Sequence, residues 1–322
     1  KTEMLNEEQL AEYQTNKELD YTLSLAGVGR FRVNFFRQRG TDSFVVRQIV
    51  STIKTLSELN LPPILAELAL KERGLVLVVG STGSGKSTTL AAMINHRNAN
   101  KSGHILTLEG PIEFLHPHKK SLVNQREVGH DTLSFNRALK SALREAPSVL
   151  LVGEIRDREA MESALNFSET GHLVFSTLHA TNTSQTIDRI LSFYDRSEQD
   201  LAQMQLSQNL LAIVAQRLIP MENGKLTAAL EILVSTARIK DLIQKGSIDL
   251  LPVAIKSGAS ESMQLFDQAL YTLYKEKKIS EMTAIDSADH PTDLKLMISS
   301  TEQREPSQEI NLLDDDNESH ED

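Results

Sequence analysis

Cysteine is absent from the 322 residues. That excludes disulfides and a cysteine-ligated zinc site, and it leads us to expect a cytoplasmic protein. Long apolar runs are absent too. The longest spans six residues, against the ~20 that a membrane helix needs. Residues 1–20 are polar and acidic, with no apolar stretch of the kind a signal peptide carries. A basic excess is also missing: 34 Lys and Arg stand against 44 Asp and Glu, a net charge of −10. Duplex binding normally needs a basic face, so a nucleic-acid translocase is disfavoured. The acid is unevenly placed. Residues 299–322 hold nine acidic side chains and one arginine, net −8, which leaves the rest near −2. So charged a segment buries too little surface to offset its ordering entropy, and a disordered acidic tail is expected there.

What is present begins with Gly80-Ser81-Thr82-Gly83-Ser84-Gly85-Lys86-Ser87, which satisfies G-x-x-x-x-G-K-[ST]. The apolar run Leu75–Val79 precedes it and a helix-forming stretch, Thr88–Ile94, follows. Strand, glycine loop and helix start together make a phosphate cradle from backbone N–H groups and the helix dipole. ATP is the expected ligand. Ser81 through Thr88 would line its phosphates, with Lys86 on the β- and γ-phosphates and Ser87 on Mg²⁺.

Strand signals recur at His104–Glu109, Val149–Val152, His172–Leu178 and near Ala228–Val234. An amphipathic helix is expected at Ser134–Glu145, with Phe135, Ala138, Leu139, Ala142 and Leu143 on its apolar face. Such alternation predicts an α/β fold with a mainly parallel sheet covered on both faces. The stretch 185–298 reads as helix-rich. Ahead of this unit, residues 21–50 read as three short strands, too few for an independent sheet. We therefore expect a small α/β domain over 1–54, missing its first strands, then the main domain over 55–298 and the tail over 299–322.

Triphosphate hydrolysis also needs a carboxylate near the metal and a group that aims the attacking water. Val149–Val152 runs through Gly153 into Glu154, the pattern of an apolar strand ending in a metal-side acid. Periodicity leaves open which of Glu109 and Glu113 faces the phosphates. His172 and His179 bracket another strand. Nothing supports a transition-metal site.

These stretches carry a resemblance. Ile105–Glu113, Leu122–Gly129, Gly153–Asp157 and Thr170–His179 resemble the signature boxes of secretion-type ATPases, and the match runs from about residue 20 to 298. Within that superfamily the chain is similar to the type IV pilus retraction motors of the PilT/PilU group. Met263–Leu270, Tyr274–Glu276, Asp293–Ile298 and the acidic extension lean toward the PilU branch.

The resemblance implies a RecA-like ATPase core behind a PAS-like domain, and a homo-hexamer at the cytoplasmic face of the inner membrane. It implies a PilT-type retraction ATPase and an inner-membrane platform protein as partners, with no nucleic acid and no membrane insertion. It makes Glu113 the water-polarising glutamate, Glu154 the metal-side glutamate, and His172 and His179 the histidine box. Arg32 and Arg47, with Arg30 behind them, become arginines that reach a neighbouring subunit's phosphates. The related assembly and secretion ATPases commonly carry a tetracysteine zinc insertion, which a cysteine-free chain excludes. Two positions depart from the family pattern: Gly110 where an aspartate is usual, and Ser148 where Pro147 would be followed by aspartate. They leave room for a second reading, a largely inactive nucleotide-binding ring subunit that docks a partner motor.

Overall fold

The computed structural model describes residues 4–25, 27–49 and 52–302. Helix α1 (Glu7–Asn16) starts on a capping box. The Asn6 side chain accepts from the Gln9 amide, and the Gln9 side chain accepts from the Asn6 amide. It packs on an antiparallel sheet of β1 (Glu18–Leu25), β2 (Gly29–Gln38) and β3 (Thr41–Ile49), in that order. The alternation of β2 sends Val33 and Phe35 into a core with Leu5, Tyr13, Leu19 and Tyr21. Arg30 and Arg32, two apart, share the opposite face. Register places Thr22 against Arg32 and Arg32 against Arg47, so that face is lined with arginine.

The second unit runs α2 (Ile64–Ala69), β4 (Gly74–Val79), α3 (Lys86–Asn100), β5 (Gly103–Glu109), β6 (Ser121–Glu127), α4 (Phe135–Glu145) and β7 (Val149–Val152). It continues through α5 (Arg158–Glu169), β8 (Leu173–Leu178), α6 (Thr183–Leu191), α7 (Gln199–Asn209), β9 (Leu210–Pro220) and β10 (Leu226–Val234). Helices α8 (Ala237–Gln244), α9 (Leu251–Ser257), α10 (Phe266–Lys275), α11 (Glu281–Ser287) and α12 (Pro291–Glu302) close it. The seven strands lie in the order β10-β9-β4-β8-β7-β5-β6, all parallel except the β10–β9 pair. Both faces are covered: Leu75, Leu77 and Val79 of β4 join one core, Val76 and Val78 the other. The expected α/β fold with a mainly parallel sheet is the observed one.

Local differences have local causes. Ser134 is the N-cap of α4 rather than part of it, its side chain accepting from the Arg137 amide. Ala138, Leu139 and Ala142 are buried as expected, but Leu143 is exposed. Strand β9 crosses a region read as helical. Helix α7 passes straight into it at Leu210, with no glycine or proline to mark the change. Strand β6 is polar because it is the sheet edge. Helix α12 takes in residues 299–302 of the expected tail, and 303–322 lie outside the described residues.

Candidate nucleotide site

The order β4-β8-β7-β5 sets four carboxyl ends side by side, where parallel sheets bind their ligands. They surround a cleft of about 680 Å³, in the size range of small-molecule sites. The loop between β4 and α3 forms its floor. Gly80, Gly83 and Gly85 have φ of +150°, +81° and +87°, a region L side chains rarely adopt. At Gly80 a Cβ would lie 2.5 Å from the Gln216 carbonyl, and at Gly85 2.7 Å from Gln216 Nε2. At Gly83 it would meet nothing within 4 Å. Two of these glycines let the loop pack on β9, and the third leaves the backbone open to a ligand.

Lys86 begins α3. Its ammonium donates to the Gly80 and Ser81 carbonyls, 2.9 Å each. Burial lowers its pKa, and the charges of Glu154 and Glu113 oppose that shift. The ammonium therefore sits within the field of both acids. Thr82, Gly83, Gly85, Lys86, Ser87 and Thr88 line the cleft. Ser81 contributes its carbonyl to Lys86, and Ser84 Oγ is buried without a partner among the described residues.

Gln216 of β9 holds the loop from behind and is 3% exposed. Its Nε2 donates to the Ser84 carbonyl at 2.7 Å, and its Oε1 accepts from Thr89 Oγ1 at 2.7 Å. One buried amide thus ties the loop and the first turn of α3 to the strand. Sequence reading missed it. The one visible signal was a polar pair, Gln216-Arg217, inside an apolar run.

Glu154 follows β7 and keeps both oxygens engaged. Oε1 lies 3.0 Å from His179 Nε2, and Oε2 accepts from the Arg156 guanidinium at 2.7 Å. Thr177 Oγ1 donates to the Gly153 carbonyl at 2.7 Å, fixing the turn that carries Glu154 to β8. Glu109 and Glu113 both border the cleft but differ in setting. Glu109 is held by Thr107 Oγ1 at 2.7 Å and Gln125 Nε2 at 3.1 Å. Burial pushes its pKa up, against those donors. Glu113 is exposed on the loop beyond, free to meet solvent.

His179 lies in the cleft at the carboxyl end of β8, but His172 does not. His172 sits at the amino end, its Nδ1 within 3.0 Å of the Phe167 carbonyl and its own carbonyl accepting from the Gly74 amide. Six strand residues separate the two histidines. The expectation from the histidine box, which made His172 a nucleotide-binding candidate, is corrected: His172 stands at the opposite, amino end of the strand and does not line the cleft. Arg32 is placed 3.7 Å from Asp20 and does not line the cleft. Arg47 does, and among the described residues no ion-pair partner is recorded for it. The expectation was a neighbour's phosphates; the structure sets Arg47 at its own chain's cleft. Arg30 turns to Glu127 instead.

The two departures differ as well. Gly110 borders the cleft, and a Cβ there would make only ordinary contacts, 3.5 Å to Phe135 and 3.7 Å to Val128. Ser148 precedes β7 at the far end of the sheet, its Oγ accepting from the His104 amide at 3.0 Å. That serine has no part in the cleft.

The donor set fits a nucleoside triphosphate and a hard cation. The buried Ser84 hydroxyl, without a partner among the described residues, the open approach at Gly83 and a lysine held by loop carbonyls suit phosphate oxygens. The Ser87 hydroxyl and the Glu154 carboxylate are oxygen donors of the kind Mg²⁺ takes.

Comparison with known proteins gives the same direction. The model of the type II/IV secretion system protein family matches residues 22–282. The chain is 48% identical over 296 residues to the type IV pilus ATPase PilU of Pseudomonas aeruginosa, covering 92% of this chain and 78% of that protein. It is 44% identical over 289 residues to the retraction ATPase PilT of the same organism, covering 90% and 84%. The crystal structure of the pilus retraction motor PilT with bound ADP superposes with a TM-score of 0.85 at 41% identity, over 92% of this chain and 84% of that one.

Proposed function

The chain belongs to the type II/IV secretion system protein family, in its PilT/PilU group, and from that premise we propose that it hydrolyses ATP to power type IV pilus retraction. The observation that carries the reading is the convergence of Lys86, Glu113, Glu154 and His179 on one cleft.

In this mechanism Lys86 exchanges the Gly80 and Ser81 carbonyls for β- and γ-phosphate oxygens. Mg²⁺, held by Ser87 and Glu154, would neutralise charge on the transferring phosphoryl group. Glu113, the more solvent-facing carboxylate, orients the attacking water. His179 steadies Glu154. Arg47 brings a guanidinium fork from the small domain to the developing charge.

Hydrolysis then changes how the small domain seats on the main one, and that motion supplies the stroke. In this reading residues 1–54 form the small domain, 55–302 the motor domain, and the remainder an acidic tail. The motor is a homo-hexamer beside the inner membrane, working with a PilT-type motor on a platform protein. Among the described residues no helix is long and apolar enough to cross a membrane.

Gly110 favours a second reading, because one acid usual beside Glu113 is missing. There the chain binds nucleotide with little turnover and assists a partner motor. Steady-state ATP hydrolysis, alone and with a PilT-type motor added, separates the two. Native mass spectrometry tests the ring.

A further inference from the structure

Glu127 ends the edge strand β6 beside Glu109 of β5 and is 5% exposed. Its backbone is fixed by a tight turn. The Glu127 amide donates to Asp131 Oδ2 at 2.8 Å, and its carbonyl accepts from the amides of His130, Asp131 and Thr132. The carboxylate, so anchored, faces two ways. Oε1 accepts from Thr22 Oγ1 at 2.9 Å, and Oε2 lies 3.4 Å from Arg30 Nη2. Both partners come from the small sheet, about a hundred residues away in sequence. Oε2 also accepts from the Ile112 amide at 3.4 Å. Ile112 is itself buried and immediately precedes Glu113.

A buried carboxylate is costly unless charge and hydrogen bonds compensate it. Here the compensation is divided between two domains. With the small sheet seated, Thr22 and Arg30 hold the carboxylate and Ile112 is held in turn. With the sheet moved away, only the Ile112 amide remains, and the carboxylate must turn to water. Thr22 shares its sheet face with Arg32 and Arg47, so seating this face brings Arg47 to the cleft by the same movement.

We propose that Glu127 is a positioning residue: it makes the aim of Glu113 depend on the seating of the small domain. This rests on the hydrolytic reading of the cleft. It goes further by naming the contact through which domain closure and water activation are coupled.

The test uses the full chain, four single variants, Thr22→Val, Arg30→Gln, Glu127→Gln and Glu127→Ala, and one double variant, Arg30→Gln/Glu127→Gln. Thr22 and Arg30 are partly exposed, so their variants fold even where a Glu127 variant does not. Two readouts are taken, ATP turnover and amide hydrogen exchange of the 110–114 loop. The expected result is a kcat about tenfold lower in Thr22→Val and Arg30→Gln, with KM and ADP affinity within about twofold of wild type. Loop exchange rises about tenfold while α3 keeps its protection. Glu127→Gln retains an acceptor and falls between wild type and Glu127→Ala. The Arg30→Gln/Glu127→Gln double variant is no slower than the worse single. Unchanged loop exchange in Thr22→Val and Arg30→Gln overturns the proposal, as does a loss of kcat matched by equal losses of ADP affinity and melting temperature. If wild type turns over no ATP, the hydrolytic reading fails, while loop exchange still decides the coupling.

Discussion

His179 Nε2 lies 3.0 Å from Glu154 Oε1, bridging the carboxyl ends of β8 and β7. Arg156 takes the other oxygen of the same carboxylate. The acid is thus held between two nitrogens rather than left to rotate. Removing the imidazole leaves Arg156 free to draw Glu154 toward solvent. His179→Ala should lower kcat by roughly tenfold to a hundredfold, as losses of the group that supports a metal-side ligand do. Its ADP affinity should stay near wild type, because Lys86 and the loop are untouched. Calorimetric titration with ADP beside a turnover assay checks both halves.

Glu113→Gln should bind ATP and turn it over very slowly. Glu109→Gln should keep turnover and gain stability at neutral pH. The sign follows from burial, which raises the Glu109 pKa in the folded state. Between the unfolded value and the raised one, the native state binds more protons, so stability falls as pH rises through that window. Glutamine removes the loss. Melting temperatures at pH 5 and pH 8 should therefore converge in this variant. Normal turnover in Glu113→Gln with a dead Glu109→Gln would show that the roles are reversed.

Gln216→Ala should weaken nucleotide binding and cost about 1–3 kcal/mol of stability, since it leaves the Ser84 carbonyl and Thr89 hydroxyl buried without their partner. Gln216→Glu should do worse at neutral pH, because a carboxylate cannot donate to the Ser84 carbonyl. Urea melts and ADP titration test this directly.

His116 borders the cleft and is buried, its Nδ1 without a partner among the described residues. Burial, helped by the charge of Lys119, lowers its pKa from the ordinary 6.5 to about 4. The unfolded chain therefore binds more protons in that window, and stability falls as pH drops from about 6.5 to about 4. The loss is on the order of 3 kcal/mol at its limit. His116→Phe, which cannot titrate, should flatten the stability profile across that range. An unchanged slope would assign the acid sensitivity elsewhere.

The phosphate loop was legible because its function lies in contiguous backbone: glycines at fixed spacing between a buried strand and a helix. Glu154 was legible for a related reason, as an acid where an apolar strand runs out. Periodicity could not rank Glu109 and Glu113, since their difference lies in Thr107 and Gln125, which hydrogen-bond one and not the other. His172 and His179 looked equivalent because sequence does not show which end of a strand meets the cleft. Gln216 and Glu127 could not be found from spacing. Their long-range partners are 132 and 127 residues away for one and 97 and 105 for the other. Such pairs exist only once the sheet order is known. Resemblance supplied the arginines, and the structure separated them: Arg47 at the cleft, Arg32 on Asp20, Arg30 on Glu127.

The central claim is that the Lys86 cleft hydrolyses ATP. The most direct measurement is phosphate release from ATP and Mg²⁺ by the wild-type chain and by Lys86→Ala, each shown to be folded. The account predicts steady, Mg²⁺-dependent release by wild type, and none above background by Lys86→Ala, which loses the ammonium between the loop and the two acids. Equal release by the two proteins would contradict it.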